Sequence, residues 1–188
     1  SKKLGDERVF VNTEILQAEG PAGDAYRKRK LLEHYLEPVA LKGDLKVADV
    51  RLLLCLCEKH EWDSRRELAD FAGITRTNLT SGLQRLTMKG FLKVEEVKEP
   101  KPSKKDKTTG KNKMKAAEMA ETKRKGRGGR IAVTILPAAD AVMKELEMAQ
   151  RDYDAARFAG FTEEELIKYA ELSEKIKENT KNILYFLN

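Results

Sequence analysis

"GITRTNLTSGLQRLTMKGF", residues 73–91, is the stretch on which the reading of this chain turns. Leu79, Leu83 and Leu86 recur at the three-and-four spacing of one buried helix face. The other face carries Arg76, Thr77, Asn78, Thr80, Ser81, Gln84 and Arg85, with no acid among them. An ordinary surface helix mixes Lys with Glu. A face of short hydrogen-bonding groups and arginine suits a polyanion instead. Asn and Gln pair bidentately with adenine, Arg with the N7 and O6 of guanine, and Ser or Thr with either. The free amides of the first turn, helped by the helix dipole, hold a backbone phosphate.

The surroundings fit that reading. Upstream, "DSRREL" offers Ser64 as N-cap and Glu67 three residues on, the pattern of a capping box. The short helix it opens, with Leu68, Ala69, Phe71 and Ala72 turned inward, stops at Gly73 in the left-handed conformation. Ala69 allows close helix approach, Ile74 plugs the gap, and Thr75 caps the next helix. Gly90 closes that helix. "FLKVEEVK" and "RIAVTILP" then alternate as two strands around a long basic loop. Helix, short helix, tight turn, polar-faced helix and hairpin make a winged helix-turn-helix.

Before this module, Val9, Phe10, Val11, Ile15 and Leu16 suggest a short strand or helix. Leu31, Leu32, Tyr35, Leu36 and Val39 share a helical face over residues 24–41, with Pro38 kinking or ending that helix. "KVADVRLLLCLCEKH" is apolar on most sides, as a central buried helix is. After it come two helices. Pro137 takes the first turn of one, along which Val142, Leu146, Ala149, Tyr153 and Ala156 repeat. Thr162 and Glu165 form a second capping box. Leu166, Tyr169, Ser173, Ile176, Thr180, Ile183 and Leu187 then hold a seven-residue repeat, which suits a coiled-coil seam and a homodimer. The expected fold is mainly α with a small β-hairpin wing: a winged helix-turn-helix between N- and C-terminal dimerisation helices. Its parts are an extension (1–23), a dimerisation helix (24–46), the DNA-binding domain (47–137, wing 98–130) and the C-terminal helices (138–188).

Charge is informative by location. Residues 98–130 hold 13 Lys or Arg against 4 Asp or Glu, a balance of +9 in a chain whose total is +6, so the rest is −3. With no aromatic or β-branched apolar residue, this stretch cannot build a core and is expected to be mobile when unbound. Arginines among glycines, Arg124, Arg127 and Arg130, suit a narrow minor groove. Lys98 to Lys115 suit general phosphate contacts, each steepening the log–log salt slope by about 0.9.

Several classes are disfavoured. The longest apolar run, Leu52 to Cys57, is too short to span a bilayer. No signal peptide is read at the N-terminus, and a cytoplasmic protein is expected. No Gly-rich phosphate loop and no Ser/His/Asp set appears, and His34 and His60 read as structural, so no enzyme and no cofactor is expected. Two His leave no zinc cluster, and no metal is expected. Cys55 and Cys57 point to nearly opposite sides of a helix and cannot pair. They read as buried structural thiols, with a redox-sensing thiol as the alternative.

With these residues in place, the chain resembles the MarR family of bacterial and archaeal regulators over roughly residues 24–188. The densest part is "SRRELADFAGITRTNLTSGLQRLTMKGFL", followed by a wing and "VTILPAADAVMKEL". The resemblance implies triangular homodimers clamped by first and last helices, with a recognition helix in the major groove and a wing in the minor. It implies a repressor released by a small aromatic or phenolic effector, or by cysteine oxidation. On that likeness Thr75, Arg76, Thr77, Asn78, Thr80, Ser81 and Arg85 match recognition-helix positions, and Arg127 or Arg130 the wing arginine. An effector cavity would fall between dimer helices and DNA-binding lobe, where Tyr26, Tyr35, Trp62 and Phe71 would line it, ordinary core packing being the competing reading. Two departures stand out. The family's wing is short with an Asp-x-Arg pattern, whereas "KGRGGR" has no Asp. Its redox cysteines lie near the first helix, whereas these lie in the central one.

The expected partner is double-stranded DNA, a pseudo-palindromic operator with half-sites roughly 10 base pairs apart. The contacts would come from residues 75–85, with Ser64 and the wing arginines. The alternative is a winged-helix RNA-binding or ribosome-associated protein acting through the lysine-rich loop.

Overall fold

A computed structural model describes residues 20–97 and 129–187. The weak pattern over residues 9–16 and the wing between 98 and 128, with Arg124 and Arg127, lie outside them.

Helix α1 (Pro21–Lys42) starts earlier than the apolar spacing suggests, because Pro21 at its first position is pre-set for helix. It also continues through Pro38 without ending there. Helix α2 (Val47–Glu58) is the centre of the fold. Val50, Leu52, Leu53 and Leu56 are wholly buried among α1, α3 (Arg65–Ala72), α4 (Arg76–Met88) and α5 (Asp140–Arg157). An all-round apolar helix can lie nowhere else.

The sheet has one strand more than the hairpin. β1 (Glu61–Trp62), β2 (Leu92–Glu96) and β3 (Ile131–Ile135) are antiparallel in the order β1-β3-β2. Leu92 pairs with Ile135 and Glu96 with Ile131, while Trp62 pairs with Ile131 from the other side. The hairpin extends to a bond from Val97 N to Arg130 O at 3.0 Å. Leu92, Ile131, Val133 and Trp62 bury the inner face of the sheet against the helices.

A 3-10 turn (Pro137–Ala139) leads into α5, whose Val142, Leu146 and Ala149 are buried against α1 and α2. Tyr153 is half-buried and Ala156 exposed, so the stripe leaves the core after Ala149. Thr162 and Glu165 form the expected reciprocal box, with Thr162 N donating to Glu165 Oε2 at 2.8 Å and Glu165 N to Thr162 Oγ1 at 3.2 Å. It opens α6 (Glu163–Leu187), 25 residues of which none is buried. The Tyr169 ring lies edge-on to Phe158 at 4.9 Å near the start of α6. No helix of the described residues is long and apolar enough to cross a membrane.

Candidate nucleic-acid interface

The turn between α3 and α4 is built as its residue types dictate. Gly73 sits at φ 65°, ψ 33°, where a side chain would strain the backbone, and its N–H bonds back to α3. Thr75 is extended, and its Oγ1 accepts from Asn78 N at 3.1 Å, capping α4. Leu79, Gly82, Leu83 and Leu86 turn inward. Arg76, Thr77, Asn78, Thr80 and Gln84 are exposed, and Ser81 is half-buried. The first turn of α4 has no acid. Five exposed hydrogen-bonding side chains therefore line α4 beside its N-terminal turn.

Arg85 departs from the expectation. It does not stand free on that surface: its Nε donates to Asp49 Oδ2 at 2.9 Å and its Nη2 to Asp49 Oδ1 at 2.7 Å. Asp49 is 1% exposed, and its Oδ2 also accepts from Lys46 N at 3.1 Å. A buried carboxylate demands such partners. Arg85 thus ties α4 to α2 through a two-point pair. The sequence carried a faint signal for this in Gly82, an isolated glycine inside a helix, which usually has a packing reason. A Cβ at Gly82 would stand 2.9 Å from Asp49 Oδ1.

Ser64 caps α3, its Oγ accepting from Glu67 N at 3.1 Å. Glu67 does not close the box on Ser64. Its Oε2 accepts from Asp63 N at 2.6 Å instead, and its Oε1 from Lys59 Nζ at 3.0 Å. Ser64 remains half-buried beside the candidate surface. Next to it, Arg65, which the sequence reading passed over, bonds through Nε to Glu96 and through Nη1 to Thr80 Oγ1 at 3.4 Å. At the far edge of the sheet, exposed Arg130 donates through Nη2 to Glu61 Oε2 at 3.2 Å.

Of the four aromatics expected around an effector, Trp62 and Phe71 lie together, whereas Tyr26 and Tyr35 lie on α1. Trp62 is buried under the sheet with its Nε1 unpartnered among the described residues, and its ring lies 6.1 Å from that of Phe71. Phe71, expected inward, is 47% exposed, because α3 is short and its core face is filled by Leu68, Ala69 and Ala72. Tyr26 is exposed on α1 and Tyr35 is half-buried edge-on to His34. Two grooves elsewhere have other linings. One of about 350 Å³ lies between Cys57 and the α5 residues Met143, Lys144 and Glu147, and one of about 250 Å³ lies beside Glu33, Glu37 and Arg51.

The cysteines are unpaired, and only Cys55 is buried; Cys57 is exposed, its thiol donating to Leu53 O at 3.4 Å. Burial pushes the Cys55 thiol up to about 11, with Glu58 adding to the effect, and the same causes raise Cys57. Cys55 therefore stays protonated at pH 8, and the thiolate is the reactive form. Iodoacetamide at pH 8 is expected to alkylate Cys55 on the order of a hundredfold more slowly than free cysteine. Mass spectrometry of the folded protein reads this directly. Rapid labelling of Cys55 before unfolding would contradict it.

No family profile and no curated protein matches the sequence. Solved structures do. A MarR-family transcriptional regulator from Silicibacter pomeroyi superposes with a TM-score of 0.57 at 20% identity, over 86% of this chain and 90% of that one. MarR itself gives 0.59 at 14% identity over 89% and 95%. A MarR transcriptional regulator from Methanosarcina mazei Go1 gives 0.56 at 12% identity over 86% and 97%. The exposed α4, the glycine turn before it and the three-stranded wing thus fall within a common architecture: this chain has the winged helix-turn-helix fold of the MarR-family transcriptional regulators.

Proposed function

We propose that the protein is a sequence-specific DNA-binding transcription regulator that works as a homodimer, laying residues 75–84 in the major groove and its basic wing along the minor groove and backbone. The observation that carries this reading is the exposed face of α4: Arg76, Thr77, Asn78, Thr80 and Gln84, with no acid in the first turn. A carboxylate there would repel phosphate. The side chains present are those that read base edges.

The dimer reading is supported by α6. Leu166, Tyr169, Ile176, Ile183 and Leu187 lie exposed along a helix about 37 Å long. A second copy covering the seam removes that apolar surface from water. Two recognition helices then read a pseudo-palindrome. On this reading the protein is a repressor in the cytoplasm, and an aromatic or phenolic effector would act by shifting the spacing of the two α4 helices.

Fluorescence anisotropy tests the reading against the chain's own upstream DNA, a scrambled duplex and a structured RNA, each at low and physiological salt. The native duplex should resist salt far better than the others. Equal weakening of all three would leave only sequence-blind attraction. Tighter binding to the RNA would favour an RNA-binding protein. Within the native complex, Asn78→Ala is expected to cost about 1–3 kcal/mol of discrimination at one base pair, with little change on scrambled DNA. Anisotropy on a panel of single-base operator variants measures it.

A further inference from the structure

Arg65 joins three elements with one guanidinium. It opens α3, it bonds through Nε to the Glu96 carboxylate at the end of β2, and it bonds through Nη1 to Thr80 on the exposed face of α4. The pair is not buried: the Arg65 and Glu96 side chains are 42% and 33% exposed. A pair so exposed adds little to stability. The fold is held by other contacts.

Its position has a different use. In a helix-turn-helix the first helix crosses the nucleic-acid backbone while the second enters the groove. Arg65 lies on the first, at the end nearest Thr80 of the second. A guanidinium fork binds a carboxylate and a phosphate with the same parallel N–H donors. The Glu96 carboxylate therefore has the charge and the shape of what a DNA backbone would bring.

We propose that Arg65 is a phosphate-binding residue whose site Glu96 fills in the free protein, and that duplex DNA exchanges this carboxylate for a backbone phosphodiester. The inference rests on the DNA-binding reading above and adds to it a site of defined ligand chemistry. Glu96 screens the arginine from stray anions and sets a cost on every non-cognate encounter. It also connects the wing to the helix pair, because the strand that carries Glu96 is the one that leads out toward the basic segment. Glu95, one residue earlier, supplies an internal comparison. It occupies the other face of β2 and pairs with Lys93 at 2.7 Å.

The test is a salt titration of the full chain on its upstream duplex and on a scrambled duplex. Five variants are compared with wild type: Arg65→Gln, Arg65→Lys, Glu96→Gln, Glu95→Gln and the double variant Arg65→Gln/Glu96→Gln. Arg65→Gln is expected to bind about tenfold more weakly and to flatten the log–log salt slope by about 0.9, equally on both duplexes, since a phosphate contact carries no sequence information. Arg65→Lys should keep the slope and lose only part of the affinity, as it retains charge without the fork. Glu96→Gln should bind roughly threefold to tenfold more tightly, Glu95→Gln less so, and the Glu96 gain should shrink when Arg65 is already Gln. Unchanged affinity and slope in Arg65→Gln, or a Glu96 gain that persists in full without Arg65, overturns the exchange while leaving DNA binding intact. Absence of duplex binding by the wild type at low salt overturns the DNA reading and the exchange together. Urea midpoints and m-values close to those of wild type separate these effects from misfolding.

Discussion

Arg85→Ala is expected to lose about 3 kcal/mol of folding stability, the largest single effect at the candidate interface. The change strands the carboxylate of Asp49, which is 1% exposed and would keep only the Lys46 amide as partner. Breaking a buried pair from one side costs about 3–5 kcal/mol, and the partial exposure of Arg85 sets the expectation at the lower end. In a chain of this size that is roughly 6–12 °C of melting temperature. Urea unfolding with a constant m-value measures it. Replacing Asp49 and Arg85 together should cost clearly less than the two singles added, because no charge is then left alone. Gly82→Ala probes the same clamp from the other side. Helix propensity alone favours alanine by about 1 kcal/mol. The new Cβ, however, would meet Asp49 Oδ1 at 2.9 Å, and that carboxylate is held by three bonds. Net destabilisation is the expected sign. Stabilisation by Gly82→Ala would show that the clamp yields freely.

Placing glutamate at both Ile176 and Ile183 is expected to abolish dimerisation and to weaken operator binding by about 100-fold or more. The two isoleucines are 66% and 60% exposed within one chain, so the fold of the chain itself should be untouched. In a paired seam the same changes bring four carboxylates together out of water, a cost no coiled coil absorbs. With the two reading heads unlinked, the second half-site is no longer bound at high effective concentration, and avidity of about 10²–10⁴ is forfeited. Sedimentation velocity gives the mass, circular dichroism the helix content, and anisotropy the binding. A variant that stays dimeric would move the interface away from the α6 repeat.

Local signals made the module legible. Gly73, Thr75 and the Leu79–Leu83–Leu86 spacing are each read within one or two turns, and each settles its structure through backbone geometry or a single face. The alternation of β2 and β3 was equally clear. What escaped was non-local. Asp49 and Arg85 are 36 residues apart, and Arg65 and Glu96 are 31 apart. Periodicity assigns Arg85 to the polar face, but cannot say that a buried acid on another helix claims it. β1 is only two residues long, too short for alternation to register, and it exists because β3 offers an edge. Phe71 and Trp62 show the same limit. An aromatic on an amphipathic stretch reads as inward, yet which of the two fills the core depends on the sheet above them.

The hairpin closes at Val97 and Arg130, one hydrogen bond apart, so the chain departs and returns at nearly the same point. Whatever lies between is tethered at a single gate. Even as a freely closing loop, growth from about four residues to the 32 present here is roughly three doublings, which costs only about 2 kcal/mol. The helices and the sheet register carry none of that burden. The length of the wing is therefore a separable variable of this architecture: lineages can lengthen, recharge or trim it while the reading head stays the same, and engineers can graft a different segment between the same two residues.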